Sequence, residues 1–364
     1  MNRPVEDLEF IGFIRHRNES ESIPAAKEVL NTDFIRDLAK AHEDAGFDRT
    51  LVGYYADGPD TFLIALHAAS VTSRLGMLIA HRPGFVSPPV AARKFATFDQ
   101  LTKGRVAIHT ISGGSDVDQM RDGDYLNKAE RYARTDEYLT ALRAIWTANQ
   151  PVSHSGKYYK FEGARENIAT FQKPRIPIYF GGASKEALDV ASRQADVYML
   201  MGETKAEVLD FTGRIRAMAK SHGRDLRFSL SFRPIIEDTE ELAWKKAEHI
   251  LNTIVELQKK QGLPYRAHPG EGYDRLRKLA EQGARLDDRL WTAIAAATGA
   301  KGNSTCLVGT PEQVAETLAE YWDIGVSTFL VRGFDPLQDV RDYGKSLLPY
   351  TRQAIELKTR KRAS

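Results

Sequence analysis

The sequence predicts an α/β fold of the (β/α)8 barrel type, formed as one domain over residues 1–364. Short β-like runs alternate with amphipathic helical stretches from one end of the chain to the other. Glycine ends a helix just before the next strand at Gly46, Gly104 and Gly325, which is typical of a repeated helix–strand unit. At 364 residues the chain is long enough for eight such units and several insertions.

Eight strands are predicted from clusters of apolar, β-branched and aromatic residues. They cover residues 8–14, 50–53, 75–80, 105–111, 176–180, 197–201, 227–235 and 326–331. Eight helices are predicted from amphipathic spacing, and several of them begin at a proline. They cover residues 32–45, 59–73, 88–101, 130–148, 185–194, 205–221, 311–323 and 336–356.

Three stretches exceed the minimal unit, namely residues 112–129, 152–175 and 238–304. The first two are predicted to be loops or a hairpin. The third follows strand seven, is predicted to be mostly helical, and is rich in glycine and charge. We interpret it either as a lid that closes over a site or as a helical elaboration that serves dimer packing.

Composition and charge argue against several classes of protein. Lys and Arg number 51 against 49 Asp and Glu, so no strong field of one sign favours a nucleic-acid partner. A single cysteine, Cys306, predicts a buried thiol, and the histidines lack the spacing of metal ligands. The sequence shows no membrane-length apolar run and no signal-peptide core, so we expect a cytoplasmic location.

The most informative segment is IPIYFGGASKEA at residues 176–187. An apolar run stops at two glycines, and a helix opens after Ser184. Glycines let the backbone approach a ligand, and the first helical turn leaves N–H groups unpaired, so the segment favours an anion such as phosphate. Plain turn chemistry is the alternative. His109, at the end of strand four, is either a ligand contact or a satisfied core histidine.

Strand alternation indicates where polar side chains point. In strand seven, Ser229, Ser231 and Arg233 share the face predicted to line the barrel interior, and the phenylalanines share the face toward the helices. The same count assigns interior positions on the first and last strands. These are Phe10, Gly12, Ile14 and His16 on the first, and Thr328, Leu330 and Arg332 on the last.

His16, Arg233 and Arg332 are therefore expected to converge at the carboxyl ends of the strands, where barrel enzymes hold their substrates. Two guanidinium groups near one histidine predict a site for an anionic group such as sulfonate, phosphate or carboxylate. The alternative is that either arginine forms a structural pair with a carboxylate such as Asp335 or Glu237. With no metal or nucleophile motif in the chain, we expect a bound cofactor to supply the chemistry.

A series of ordered landmarks extends over almost the whole chain. They are FIRH at 13–16, LIAHRP at 78–83, SPPVAAR at 87–93, TFDQLTKGR at 97–105, SGGSD at 112–116, ERY at 130–132, YFGGAS at 179–184 and HGR at 222–224. Together they resemble the flavin-dependent luciferase-like monooxygenases, and within them the alkanesulfonate monooxygenase group.

The resemblance implies a barrel that binds reduced FMN supplied by a separate NAD(P)H:flavin reductase. With O2 it would oxidise the carbon that bears a sulfonate and release sulfite and an aldehyde. The resemblance also implies two sets of cofactor-binding residues. They are Tyr132, Gly182, Ala183 and Ser184 for the FMN phosphate, and Gly12, Ala80, His109 and Ser112 for the flavin ring. His109 stands where the family more often has asparagine.

The candidate catalytic residues Arg233, His16 and Arg332 include departures from the alkanesulfonate enzymes. Those enzymes carry Arg-x-His on strand seven, where this chain has Ser231-Phe-Arg233. Further differences are Phe334 for a tyrosine, Gly58 for a cysteine, Thr298 nearest to the arginine of the mobile loop, and Arg332 for a small residue. The rearranged charge implies an anionic substrate of different shape, such as a bulky or sugar sulfonate.

Two other functions are compatible with the same features. A barrel oxidoreductase that uses deazaflavin F420 shares the architecture, and a non-enzymatic flavin-binding relative would usually lack the long insertion. Helices 59–73 and 88–101 mix large apolar and small residues, so we expect them to pair subunits in a homodimer or tetramer.

Overall fold

The computed structural model describes residues 5–165, 167–262, 269–302 and 304–363. Its strands are β1 (Glu9–Ile14), β2 (Arg49–Val52), β3 (Gly76–His81), β4 (Val106–Thr110), β5 (Val152–Ser155), β6 (Lys160–Ala164), β7 (Ile178–Gly181), β8 (Val197–Met201), β9 (Arg227–Ile236), β10 (Arg285–Leu286), β11 (Leu290–Trp291), β12 (Cys306–Gly309) and β13 (Thr328–Val331). Its α-helices are α1 (Thr32–Asp44), α2 (Thr61–Ser70), α3 (Pro88–Thr102), α4 (Asp116–Arg121), α5 (Lys128–Thr147), α6 (Lys185–Gln194), α7 (Lys205–Ser221), α8 (Glu240–Lys260), α9 (Glu271–Gln282), α10 (Ala293–Thr298), α11 (Pro311–Asp323), α12 (Gln338–Asp342) and α13 (Leu348–Ala363).

Eight strands form the closed ring of a (β/α)8 barrel. Hydrogen bonds order them β9, β13, β1, β2, β3, β4, β7 and β8, and β8 pairs again with β9. Each ring strand is one of the eight predicted from the sequence, with ends within two residues of the predicted ones. The predicted fold class is therefore confirmed.

The strand β12 was not predicted, and it extends the sheet outside the ring. The first half of β9 pairs with β13, ending at Phe232 opposite Val331. The second half, from Arg233 to Ile236, pairs in parallel with β12, and β11 and β10 follow in antiparallel order. Because β9 is ten residues long, its end extends past its pairing with β13 and offers an edge to β12.

Most helix ends follow from residues that can be read in the sequence. The predicted bounds of α6, α7 and α11 are those of the structure. Ser184 caps α6 and Thr310 caps α11, because their hydroxyls accept the first free backbone N–H groups. The predicted helix 336–356 is instead α12, a π-helical turn at Tyr343–Leu347 and α13, which continues to Ala363. Among the described helices, none is both long and apolar enough to cross a membrane.

The chain packs into two compact units. The first consists of the described residues within 1–50, 199–214 and 227–364, and the second of those within 51–198 and 215–226. In the first unit, apolar side chains of α8 and α10 pack against β9, β11 and β12. This cluster is Ile235, Ala243, Ala247, Ile250, Ile254, Trp291, Ile294, Cys306, Val308 and Phe334. Cys306 is fully buried, as predicted.

Side-chain faces in the first unit confirm the prediction for β9 and contradict it for β1. Phe232 contacts Tyr321 of α11, so the phenylalanine face of β9 meets the helices. On β1, however, Phe10 lies under Arg352 of α13, and Gly12 abuts His42 of α1. The face predicted to line the interior therefore meets the helices, and Phe13 on the opposite face lies beside Arg332. The error arises because β1 is buried on both faces and has no polar alternation.

In the second unit, the register of β3, β4 and β7 sets a row of three residues side by side. Ala80 pairs with His109, and His109 pairs with Tyr179. The neighbouring residue His81 turns to the other face, where Nε2 lies 2.6 Å from the Tyr138 hydroxyl of α5. Ala80 and His109 therefore share the face that points away from the helices.

The predicted insertions contain regular structure. Residues 112–129 contain α4, and residues 152–175 contain a hairpin of β5 and β6. The carboxylate of Glu137 in α5 holds this hairpin by accepting from His154 Nε2 at 3.0 Å and from the Tyr159 N–H at 2.8 Å. Residues 238–304 contain α8, α9, β10, β11 and α10, while 263–268 and 303 lie outside the described residues.

Candidate active site

In the second unit, the turn between β7 and α6 brings together a glycine, a tyrosine and a helix N-terminus. Gly182 has φ +139°, and a Cβ added there would lie 2.8 Å from Ala187 Cβ and 3.1 Å from the Tyr132 hydroxyl. Ser184 Oγ accepts the Ala187 N–H at 3.2 Å and caps the helix. The Tyr198 hydroxyl of β8 donates a hydrogen bond to the Gly182 carbonyl, and this bond fixes the turn.

This turn stabilises negative charge. The pKa of the Glu186 carboxyl is lowered by hydrogen bonds from its own backbone N–H and from the Ser184 hydroxyl. Both donors belong to the first turn of α6, where unpaired N–H groups and the helix dipole favour an anion. The predicted turn from strand to helix is therefore present, and Tyr132, Gly182 and Ser184 lie close together there.

His109 carries a polar atom without a partner. Its Nδ1 is buried and makes no hydrogen bond within the described residues. Burial lowers the pKa of the imidazole to about 4, so the ring is neutral near pH 7. A buried donor or acceptor without a partner is costly, and a bound group that supplies one would be favoured.

Ser112 is held by its neighbours. Its Oγ lies 3.0 Å from Thr135 Oγ1, and Thr135 gives its own proton to the Arg131 carbonyl at 2.8 Å. Ser112 is therefore the donor in the hydroxyl pair. Arg131 Nε also donates to the Ser112 carbonyl at 3.2 Å. These bonds fix Ser112 close to the end of β4.

In the first unit, Arg233 is fully buried rather than exposed at the end of its strand. Nη1 donates to Glu21 Oε2 at 2.7 Å, and Nη2 donates to the Gly333 carbonyl at 2.8 Å. The guanidinium also lies 3.6 Å from the centre of the Phe334 ring. Arg233 therefore forms a structural pair with a carboxylate, as in the alternative interpretation, and the partner is Glu21 rather than Asp335 or Glu237.

Glu21 is the centre of a group of arginines. Burial opposes its charge, but attraction from Arg233, Arg332 and Arg15 outweighs burial and holds the pKa of the Glu21 carboxyl well below its usual 4.5. Glu21 is therefore ionised throughout the physiological range. The structure gathers two of the three predicted residues, Arg233 and Arg332, around this carboxylate.

Arg332 and His16 occupy less buried positions than Arg233. The guanidinium of Arg332 lies 5.1 Å from the centre of the Phe13 ring, and that of Arg15 lies 5.6 Å from it. His16 Nε2 lies 4.0 Å from Glu19, and burial lowers the pKa of its imidazole despite that carboxylate. His16 is therefore placed beside Glu19.

The loop after β13 shapes the arginine site. Asp339 accepts the N–H groups of Phe334 at 2.6 Å and of Asp335 at 2.9 Å. A Cβ added at Gly333 would lie 1.9 Å from Asp339 Oδ2, so only glycine fits beside that carboxylate. This turn aims the Gly333 carbonyl at Arg233.

A family model described as luciferase-like monooxygenase matches residues 8–328. The chain belongs to this family. Among solved structures, it is similar to riboflavin lyase RcaE at 18% identity, over 95% of this chain and 91% of that chain, with a TM-score of 0.77. It is also similar to EDTA monooxygenase EmoA from Chelativorans sp. BNC1 at 18% identity, over 95% of this chain and 94% of that chain, with a TM-score of 0.76. A third similar structure is the coenzyme F420 dependent tetrahydromethanopterin reductase from Methanopyrus kandleri, at 17% identity, over 94% of this chain and 99% of that chain, with a TM-score of 0.66.

At these identities the structural likeness shows the fold of a luciferase-like monooxygenase. The relatives include a riboflavin lyase solved with modified FMN and a reductase that depends on F420. The family name is that of an oxidoreductase, and with these two relatives the comparisons do not decide between FMN and F420.

Sequence reasoning missed two contributors to the site of this luciferase-like monooxygenase. Glu21 lies in an irregular segment without hydrophobic periodicity, so no sequence pattern marks it. Phe13 is part of a quoted landmark, but the wrong face was assigned to its strand. Only the contacts with Arg233 and Arg332 reveal both residues.

Proposed function

We propose that this protein is a two-component monooxygenase that uses reduced FMN and O2 to oxidise an organosulfonate. The observation that carries the proposal is the pair Arg233 and Arg332 around one carboxylate, because guanidinium groups bind the oxygens of sulfonates in well-defined geometry. The overall reaction would turn the sulfonate, reduced FMN and O2 into an aldehyde, hydrogensulfite, oxidised FMN and water. The arginine positions, which differ from those of the alkanesulfonate group, favour a bulky or sugar sulfonate.

The turn between β7 and α6 would hold the FMN phosphate. Gly182 leaves open the space that a Cβ would fill beside Tyr132, and the capped N-terminus of α6 already stabilises a carboxylate. Ala183 and Ser184 would present backbone N–H groups from the same turn. When bound, reduced FMN would activate O2 and supply one oxygen atom to the substrate.

The flavin ring would lie along the row of Ala80 and His109. Ala80 is small, and the unpartnered Nδ1 of neutral His109 would gain a hydrogen bond from a polar ring edge. Ser112, fixed by Thr135, would flank the ring from the loop after β4. Gly12 was predicted to line the floor of the flavin-ring site. Since the space of its missing side chain is occupied by His42, it would contribute only backbone atoms.

The arginines would bind and orient the sulfonate. Arg332 is partly exposed and would meet the anion first. Since its pKa is lowered, His16 has an unprotonated ring nitrogen near pH 7 and would accept a proton during carbon–sulfur cleavage. A separate NAD(P)H:flavin reductase would deliver the reduced flavin.

Exposed apolar side chains support the expected pairing of subunits through α2 and α3. Leu63 is 68% exposed on α2, and Val90 and Leu101 are 45% and 67% exposed on α3. Exposed apolar side chains on these two helices would favour burial against a second subunit. The proposal therefore includes a homodimer or tetramer, which size-exclusion chromatography with light scattering would test.

An anaerobic titration tests the cofactor. Reduced FMN, oxidised FMN and reduced F420 are added to the purified protein, and quenching of tryptophan fluorescence is followed. We expect reduced FMN to bind most tightly, and we expect Tyr132→Phe to raise its Kd about tenfold, as for a lost hydrogen bond to a charged group. The matched control is Tyr125→Phe, because Tyr125 is 77% exposed. Preference for F420 would favour the F420-dependent alternative, and absence of flavin binding would contradict the proposal.

A further inference from the structure

We infer that Glu21 is an internal competitor for the anion site of Arg233 and Arg332, so that an anionic substrate must displace it to reach both arginines. The inference rests on the proposed function insofar as the substrate is an anion. It makes Glu21 a specificity-determining residue, because only anions that bind the arginines better than a tethered carboxylate will enter.

The geometry around Arg233 places Glu21 where an anion would bind. One face of the guanidinium stacks on Phe334, and Nη2 is bound to the Gly333 carbonyl. Nη1 points to Glu21 at 2.7 Å, and the side chain of Arg233 is not exposed to solvent. An anion can therefore approach Nη1 by taking the position of the Glu21 carboxylate.

Arg233 also has bonding capacity that Glu21 does not use. Its Nε is buried and makes no hydrogen bond within the described residues. A buried N–H without a partner costs free energy. With Glu21 on Nη1 and the Gly333 carbonyl on Nη2, the Nε–H of Arg233 stays unsatisfied by the described residues in this closed state.

Glu21 stands between the two arginines. A Cβ added at Gly302 would lie 2.5 Å from Glu21 Oε1 and 2.8 Å from Arg332 Nη2, so these two atoms lie against the same glycine. The other carboxylate oxygen of Glu21, Oε2, accepts a hydrogen bond from Arg233. Displacement of this one carboxylate would therefore open both arginines to the same anion.

The segment that carries Glu21 is weakly anchored. Between β1 and α1 it forms neither helix nor strand, and residues 24–30 are exposed, with Val29 61% and Leu30 48% accessible. Near Glu21, it is held by a turn in which the Ser20 N–H donates to the Ile23 carbonyl at 3.0 Å, and by a 3.4 Å bond from the Ser22 hydroxyl to the Phe334 carbonyl. The main buried contact that holds this segment is the pair of Glu21 with Arg233, so an anion that replaces Glu21 there lowers the free-energy cost of opening the segment.

Exchange of one anion for another keeps the buried charge compensated. Removal of Glu21 alone would leave Arg233 buried and unpaired, which is strongly destabilising. An incoming sulfonate replaces one negative charge by another, while Glu21 returns to water. The protein therefore has two states of similar electrostatic free energy, one with Glu21 bound to Arg233 and one with an external anion bound there. The concentration of the anion selects between them.

Binding of benzenesulfonate to Glu21→Gln tests the inference. The amide keeps an acceptor for Arg233 but lacks the competing charge. If the internal carboxylate occupies the site for all but a tenth of the time, we expect Glu21→Gln to lower the Kd by about tenfold in isothermal calorimetry. The matched control is Glu28→Gln, because Glu28 is an exposed carboxylate on the same segment, and the Kd of this variant should equal that of the wild type. Equal or weaker binding by Glu21→Gln, or no measurable binding by either protein, overturns the inference.

Trypsin provides a second test that needs only the wild-type protein. Lys27 lies in the exposed part of the segment. Saturating benzenesulfonate should accelerate cleavage after Lys27 relative to cleavage after Lys220, because displacement of Glu21 frees the segment. An unchanged or slower relative rate overturns the inference. Neither experiment contains flavin, so failure to bind reduced FMN would refute the proposed function and leave this result standing.

Discussion

The substitution Gly12→Ala decides between two roles of Gly12, packing on α1 and contact with a flavin. In the structure, an added Cβ would lie 2.0 Å from Cδ2 and 2.1 Å from Nε2 of His42. Since nonbonded carbons rest about 3.5–4 Å apart, the His42 ring would have to retreat by about 1.5 Å. The ring is 1% exposed and has no open space to enter freely.

Two hydrogen bonds depend on the position of that ring. His42 Nδ1 donates to the Leu38 carbonyl at 2.7 Å, and Nε2 accepts the Phe13 N–H at 3.3 Å. Overpacking costs about 1–3 kcal/mol, and each lost hydrogen bond about 1 kcal/mol. We therefore expect Gly12→Ala to lower the free energy of unfolding by about 3 kcal/mol or more.

Urea unfolding followed by tryptophan fluorescence measures this change. The control is Gly213→Ala, because an added Cβ at this exposed helical glycine meets no atom within 4 Å, and alanine should stabilise the helix by about 1 kcal/mol. In a His42→Ala background the cost of Gly12→Ala should shrink, because the obstructing ring is gone. A loss below about 1 kcal/mol in the wild-type background would refute the packing argument. If the folded Gly12→Ala protein instead bound reduced FMN much more weakly, that result would support the predicted contact of Gly12 with the flavin.

Three further predictions concern buried and charged groups. Burial holds the pKa of His42 and His109 at about 4 and of His81 at about 3, so acidification below their usual 6.5 should lower the free energy of unfolding by up to about 1.4 kcal/mol per pH unit for each histidine. Urea unfolding as a function of pH measures this slope, and a flat profile contradicts it. Burial raises the pKa of the Cys306 thiol to about 12, so Ellman's reagent should label it only after unfolding. Prompt labelling of the native protein would contradict that burial. Arg332→Ala should raise the KM for a sulfonate about tenfold while the Kd of reduced FMN stays unchanged. Steady-state kinetics with a parallel flavin titration checks this, and an unchanged KM argues against a sulfonate contact.

Much of the fold could be predicted from sequence features that act over a few residues. Caps and periodicity are short-range features, and they predicted all eight ring strands and the ends of α6, α7 and α11. They also predicted which face of β9 meets the helices, because serine and phenylalanine alternate along that strand. The turn before α6 was predicted for the same reason, since its glycines and its capping serine act within a few residues.

The sequence alone therefore determined the order of the elements and the chemistry of the turns, which depend on neighbours along the chain. Only the tertiary structure decided the face of β1, the pairing of β12 with the end of β9, and the burial of Arg233 against Glu21. A strand buried on both faces has no alternation to read, and an ion pair between residues 212 positions apart leaves no local signal. These contacts exist because closure of the barrel brings distant segments together, and they set the charge of the candidate anion site.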